Sequence, residues 1–334
     1  MRVVGIIAEY NPFHKGHQYH LKAARKAADA IVVVMSGSFT QRAEPAAFDK
    51  WMRASWALAS GADLVFELPT FYATASAEGF AMGGISLLER LGVVDSFCFG
   101  SETVDLACLT SIANLLCREP QAFKAQLRKN LDTGLPMARA RSRSVAQVLK
   151  SERAEAILSS PNAILAIEYI KAAQKLGSSM KPLAIQRRSA GYHQSGLDHE
   201  MPGASAIRSH LHRFGPETNQ LQNALPRFVL KAIQNALQQG FRIPKLETLS
   251  PMIVYALRRL GKDGIGKLAE VNEGLENRIY TAAARHGNIQ QIVDAVKTKR
   301  YPRTRLQRIL LYALLGIDHD FVTSLRAQNA PVYG

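Results

Sequence analysis

The sequence predicts an α/β protein: a Rossmann-like, doubly wound parallel sheet with a helical insertion, followed by an all-helical C-terminal domain. Three observations lead there. Short apolar runs rich in Val, Ile, Leu and Phe alternate with helix-period stretches through the first half of the chain. From about Glu217 the strand signals stop and only helical spacing recurs. The charge divides the same way. Residues 1–100 hold 9 Lys/Arg and 9 Asp/Glu, whereas the remainder holds 33 and 18, the whole of the net +15. A neutral start and a basic remainder suggest small-molecule chemistry first and a polyanion later.

The elements follow in order. Strands are expected at Val3–Ala8, Ala30–Met35, Asp63–Leu68, Val93–Gly100 and Pro182–Arg187, each short, apolar and of the kind buried on both faces. Between them helical patterns cover about His17–Ala28, Asp49–Ser60, Ala77–Leu91, Asp105–Cys117 and Asn162–Leu176. The last opens with Ser160-Pro161, a serine cap followed by proline at the first helical position. Residues 119–153 break the alternation with helix-like sequence and the basic run Arg139, Arg141, Arg143, Lys150 and Arg153, and read as a helical insertion. Helical spacing then returns at Val229–Gln239, Pro251–Leu260, Glu276–Ala284, Ile289–Ala295 and Thr304–Leu315, punctuated by Gly and Pro. The expected division is a catalytic domain over 1–215 and a helical domain over 216–334.

Composition excludes several classes. At 47 % hydrophobic and 21 % charged the chain can bury a sizeable core. No apolar run approaches the roughly 18–20 residues of a membrane span. The opening Met1–Glu9 reads as a first strand of a cytoplasmic protein rather than a signal peptide. Cys98, Cys108 and Cys117 match neither a zinc pattern nor a disulfide framework.

The strongest signal follows the first strand: Glu9-Tyr10-Asn11-Pro12-Phe13-His14-Lys15-Gly16-His17, and then a helix. A helix start at the carboxyl edge of a parallel sheet offers free N–H donors and the positive end of the dipole to a phosphate. The dipole contributes only about 0.3–1 kcal/mol at exposed sites, so discrimination falls to side chains. His14 and His17, three apart across Gly16, can both aim at one phosphate, and Gly16 leaves room for its approach. Such donors lower a barrier by neutralising charge that grows on the α/β-phosphates as pyrophosphate departs. Two other readings stand beside this one. His14, His17 and His20 at spacing three suit a metal, although no carboxylate or cysteine completes the set, so none is expected. They also suit a helix-capping cluster without catalytic work.

Strand–HxGH–helix resembles the nucleotidyltransferase superfamily, in which this signature holds ATP's phosphates. Gly203-Ala204-Ser205-Ala206-Ile207-Arg208 resembles that superfamily's second signature, and the resemblance implies that Ser205 and Arg208 close on the β/γ-phosphates. A plain amphipathic helix start explains the same residues. Further segments are similar to one branch, the bacterial tRNA(Met) cytidine acetate ligases. They are Ala8–His14, Ser36–Arg42, Gly61–Pro69, Phe99–Glu102, Ser160–Leu165, Arg187–His193 and Thr298–Tyr301, in order along nearly the whole chain. The sequence departs from the branch at Ala43, where glycine often follows Gln-Arg, and Lys15 fills the variable position of the histidine motif.

That resemblance implies ATP-driven adenylation of acetate with loss of pyrophosphate, then transfer of the acetyl group to the N4 amine of the wobble cytidine in elongator tRNA(Met). Mg²⁺ is expected with the nucleotide. It also implies ATP contacts from the segment that holds Ile7, Ala8, Tyr10, Asn11, Pro12, His14, Gly16, His17 and His20, and from Gly100, Asn162 and the pair Arg187/Arg188. The residue types suit these roles. Gly100 ends a strand where a side chain would meet a ligand. Asn162 offers a donor and an acceptor in a first helical turn, and an arginine can fork onto phosphate.

The basic excess peaks at 296–308, where Lys297, Lys299, Arg300, Arg303, Arg305 and Arg308 occur with no acid and with Tyr301. Backbone phosphates suit the cations, and a splayed base suits the ring; a solvated helical face is the plainer reading. A small-molecule adenylyltransferase of cofactor metabolism would share the phosphate site but has no use for this basic helical part. A non-enzymatic RNA-binding protein would have no use for an intact His14 and His17.

Overall fold

The computed structural model describes residues 1–187, 201–298 and 300–327. Strands β1 (Val3–Ala8), β2 (Ala30–Ser36), β3 (Leu64–Leu68), β4 (Ser96–Ser101) and β5 (Lys181–Gln186) form one sheet in the order β3-β2-β1-β4-β5. All four pairings are parallel. The chain winds from β1 outward through β2 and β3, then crosses back to β4, so the switch point lies at the carboxyl ends of β1 and β4. Ligands bind in that crevice because the loops there diverge to opposite faces.

Alternate strand residues point to opposite faces, and each face has its own core. Val3, Val32, Val34, Phe97 and Phe99 meet helices α4 (Ala77–Arg90), α5 (Leu106–Arg118) and α9 (Pro161–Leu176). Val4, Ile6, Ile31, Val33, Met35 and Cys98 meet α1 (Lys15–Arg25), α2 (Lys50–Leu58), α10 (Ala204–Phe214), α11 (Asn219–Ala224) and α12 (Arg227–Gln238). Leu221, Leu225, Val229 and Ile233, placed from sequence with the C-terminal helices, thus bury their side chains in the core beside the sheet. Three aspartates fasten the strand starts. Asp29 accepts from Arg2 N, Asp63 from Ile31 N and Asp95 from Val3 N.

The insertion is helical, as expected, in three pieces: α6 (Gln121–Asp132), α7 (Met137–Leu149) and α8 (Glu152–Ile157). Phe123 and Val145 tie it to the first core. Strand β4 starts later than Val93 because residue 95 is already turned to cap β1.

A separate core begins at Leu246 and joins α13 (Ser250–Lys267), α14 (Leu275–Arg285), α15 (Ile289–Val296) and α16 (Arg303–Leu315). The expected stop at Leu260 marks a real break, since Gly261 adopts φ 63° inside α13. The short α3 (Thr70–Ala73) and the last helix α17 (His319–Ala327) are absent from the sequence-based expectation. They meet where Phe71 packs edge-on against Phe321, centroids 5.8 Å apart, and so join the two parts of the molecule. Among the described residues no helix is long and apolar enough to cross a membrane.

Candidate active site

Helix α1 begins two residues earlier than its apolar pattern suggests, because the histidines themselves build its start. His14 is the N-cap, and its Nδ1 accepts from Gly16 N at 3.0 Å. His17 sits at the third position of the first turn, and its Nδ1 accepts from His14 N at 3.3 Å. The pair is a reciprocal capping box made of two imidazoles instead of the usual Ser/Thr and Glu/Gln. The rings stack with centroids 3.6 Å apart and planes 24° from parallel, and Tyr10 meets His17 edge-on at 4.9 Å. Capping and phosphate binding are therefore compatible, not rival, readings. A ring nitrogen that accepts a backbone N–H carries no proton, so each neutral ring holds its proton on Nε2.

Burial keeps both rings neutral. His14, only 5 % exposed, is lowered to about 3, first by desolvation and then by the Arg187 guanidinium. His17 is pushed well below its ordinary value by burial, then by His14 and Arg187. His20 falls to about 4 for the same first reason, and its Nε2 lies 3.3 Å from Cys98 Sγ. The Cys98 thiol is raised to about 12 by burial and is inert at neutral pH.

These groups open onto a cavity of about 300 Å³ at the β1/β4 switch point. Of the ATP-binding residues expected from sequence, Ile7, Ala8, Tyr10, His14, Gly16, His17, His20, Gly100, Asn162 and Arg187 all line it. The Tyr10 hydroxyl is buried there without a hydrogen-bond partner among the described residues. Gly16 is needed by His14 itself: a Cβ would lie 2.8 Å from His14 Cε1. At Gly100 a Cβ would press to 3.3 Å on Arg187 Cγ, so that glycine makes room for the arginine before any ligand.

The remaining expected residues lie elsewhere. Asn11 is 2 % exposed, and its Oδ1 accepts from Ala47 N at 2.7 Å, so its side chain belongs to the scaffold. Pro12 is buried beside it, and Arg208 Nη1 donates to the Asn11 carbonyl at 2.7 Å. Ser205 is exposed in the first turn of α10. None of these four lines the cavity. Arg188 lies outside the described residues.

Sequence reasoning missed three groups of participants. Gln41 and Arg42 line the mouth, and Gln41 N donates to Glu9 Oε1 at 2.8 Å. Phe80, Phe99 and Tyr169 give the cavity an aromatic wall. Arg53, with no exposed surface, donates to the carbonyls of Phe48, Glu9 and Ser36 at 2.8–2.9 Å and to that of Gly37. It pins the ends of β1 and β2 to α2, and nothing in a helical Lys-Trp-Met-Arg pattern marks it as buried. Ala43, where the resembling branch often has glycine, stands at φ 57° in the left-handed region, which explains the preference for glycine.

Two cations and one ring leave the expected RNA surface. Arg308 is 7 % exposed, with Nε donating to Thr74 O at 2.7 Å and Nη1 bridging both Glu270 oxygens at 2.9 and 3.0 Å. A buried guanidinium so fully paired is a fastener between α16 and the sheet domain. Tyr301 is 6 % exposed within the helical core and cannot stack on a base. Arg305 donates to Glu270 O and Asn272 Oδ1 at 2.7 and 2.8 Å while lying over the Tyr301 ring. Arg300 and Arg303 are paired at the surface with Glu273 and Asp294, Lys297 is exposed, and Lys299 lies outside the described residues.

A neutral double-imidazole helix start at the switch point of a parallel sheet is the arrangement expected of a nucleotidyltransferase. Residues 1–334 match the family described as HIGH Nucleotidyl Transferase. The chain is 42 % identical to the tRNA(Met) cytidine acetate ligase of Thermoanaerobacter pseudethanolicus over 98 % of its length and 82 % of that protein. It is 39 % identical to the protein of the same name from Acetivibrio thermocellus, over its full length and 81 % of that protein. A crystal structure of Thermotoga maritima TmcAL bound with alpha-thio ATP superposes with a TM-score of 0.88 at 32 % identity, covering 98 % of this chain and 78 % of the other; the apo form gives 0.91. The chain belongs to the tRNA(Met) cytidine acetate ligase family, a family of ligases built on a nucleotidyltransferase domain. Because the match runs through the helical C-terminal part, the small-molecule adenylyltransferase reading is not favoured.

Proposed function

We propose that the chain acetylates the N4 amine of the wobble cytidine of elongator tRNA(Met), using ATP and acetate through an acetyl-adenylate. The observation that carries this is the stacked pair His14/His17, whose Nδ1 atoms are spent on backbone N–H groups. Both Nε2–H groups are thereby reserved for an anion in the cavity. An acetate oxygen attacks the α-phosphorus, the bond to the β-phosphate oxygen breaks, and pyrophosphate leaves with the electron pair. The imidazoles donate to oxygens on which charge grows, with no reorganisation required. Arg187, which lines the same cavity, adds a positive charge. The N4 amine then attacks the acetyl carbon, AMP departs with its oxygen, and the amine loses a proton to solvent.

Mg²⁺ fits as a companion of the phosphates. Among the described residues no three His, Cys, Asp or Glu side chains converge on a metal, and Mg²⁺ is commonly held by phosphates, waters and one or two carboxylates. Arg208 serves by holding the Asn11 turn. The anticodon loop is held by the helical part after residue 245, through Lys297, Lys299, Arg300 and Arg303. Mass spectrometry of tRNA incubated with protein, ATP and labelled acetate tests the reading. Acetylated cytidine carrying the label supports it; label entering only from acetyl-CoA contradicts it.

A further inference from the structure

Glu102, one residue past β4, gathers the side chains that face the nucleotide cavity from that side. Asn162 Nδ2 donates to its Oε1 at 2.6 Å, Ser160 Oγ donates to its Oε2, and Arg187 Nε lies 3.7 Å from Oε1. Gln186 Nε2 donates to its main-chain carbonyl at 3.0 Å. Asn162, Gln186 and Arg187 line the cavity, whereas Glu102 lines an adjoining recess with Asp105, Arg153 and Ser160. Glu102 therefore reaches the cavity through other side chains.

An asparagine amide has a donor end and an acceptor end, and its neighbours decide which faces a ligand. An ionised carboxylate only accepts, so Asn162 must turn its NH₂ to Glu102. Its Oδ1 then remains for the cavity. We infer that Glu102 is a positioning residue that determines nucleotide specificity, by presenting Asn162 to the ligand as a carbonyl acceptor. An acceptor selects a donor on the nucleoside: the exocyclic amine of adenine or a ribose hydroxyl. A nucleotide that lacks that donor leaves Oδ1 unpaired in a partly desolvated wall, which costs more than the bond itself contributes. The inference rests on the reading that the cavity takes ATP, but not on acetate or RNA.

Calorimetric titration without acetate or RNA tests it. The probes are ATP, inosine triphosphate (a carbonyl replaces the amine), 2′-deoxy-ATP and 3′-deoxy-ATP, which separate the base from the two hydroxyls. Wild-type protein is expected to bind one analogue at least tenfold more weakly than ATP, the weight of about 1.4 kcal/mol. Glu102→Ala abolishes that preference. Glu102→Gln retains it, because a glutamine carbonyl still accepts from Nδ2. Asn162→Ala lacks the preference, and Glu102→Ala added to it changes nothing further. Glu102→Ala with the wild-type preference, or Glu102→Gln as indiscriminate as Glu102→Ala, overturns the inference alone. A wild-type protein that binds no ATP overturns it together with the nucleotide reading.

Discussion

The imidazoles of His14 and His17 lie face to face at 3.6 Å, each with its Nδ1 occupied by a backbone N–H of the same helix turn. One arrangement thus completes the helix start, fixes both tautomers and leaves two ring donors beside the cavity. His14→Ala and His17→Ala should each lower acetate-dependent pyrophosphate release by roughly 10²–10³, the loss typical of one oxyanion donor. Single-turnover pyrophosphate assays read it, and a loss of under about fivefold would contradict the role.

The tautomers can be read directly. Nitrogen-15 NMR of the free protein should show His14 and His17 neutral, protonated at Nε2, from about pH 8 down to about pH 5, as expected for rings held far below the ordinary histidine value near 6.5. A ring protonated at Nδ1, or one that titrates near 6.5, would rule out the assignment.

The same rings set a pH dependence of stability. Unfolded, His14, His17 and His20 take up protons as pH falls through about 6.5; folded, burial holds them unprotonated, His14 to about 3 and His20 to about 4. The unfolded state then binds more protons, so stability is full above about pH 6.5 and declines between there and the folded values. Urea melts between about pH 7.5 and 5 should show this decline, and it should be shallower in the His14→Asn/His17→Asn double variant. An equal decline in the variant would place its cause in other groups.

Arg53 and Arg308 should behave as structural arginines. Removing either leaves several buried acceptors unmatched, and for Arg308 a partly buried carboxylate as well, so Arg53→Leu and Arg308→Leu should each destabilise by roughly 3–5 kcal/mol. Losses below about 1 kcal/mol, the range of surface pairs, would show that these groups are not as fastened as their contacts indicate.

RNA affinity should depend instead on the surface cations. Lys297→Ala/Arg300→Ala/Arg303→Ala should weaken tRNA binding and reduce the slope of log K against log salt by about 0.7–0.9 for each phosphate no longer neutralised. Filter binding across a salt series measures this. An unchanged affinity and slope would remove this face from the RNA path. ATP affinity serves as the control and should hold within about twofold, the scatter of surface substitutions.

The sheet was legible because its strands are buried on both faces, so Val, Ile and Leu occur in unbroken runs such as Ile31–Val34. The histidine side of the cavity was legible because one loop carries it. What stayed hidden depends on partners distant in sequence. Arg308 resembles its exposed neighbours until Glu270 and Thr74 are brought beside it. Glu102 gains meaning only once α9 delivers Asn162, sixty residues on. Tyr301 reads as an RNA-facing ring in a basic run, yet α13 to α16 close over it. Asn11, inside the motif, spends its side-chain oxygen on Ala47 N, and Gly16 leaves room for the His14 ring.

Two neutral imidazoles holding the nucleotide where it is cut is the claim on which the rest depends. A crystal structure of this chain with ATP tests it most directly. The α-phosphate oxygens are expected within about 2.7–3.2 Å of Nε2 on both His14 and His17, with Nδ1 of each ring still on its backbone N–H. A triphosphate bound away from the start of α1, or rings turned so that Nδ1 meets the ligand, would contradict it.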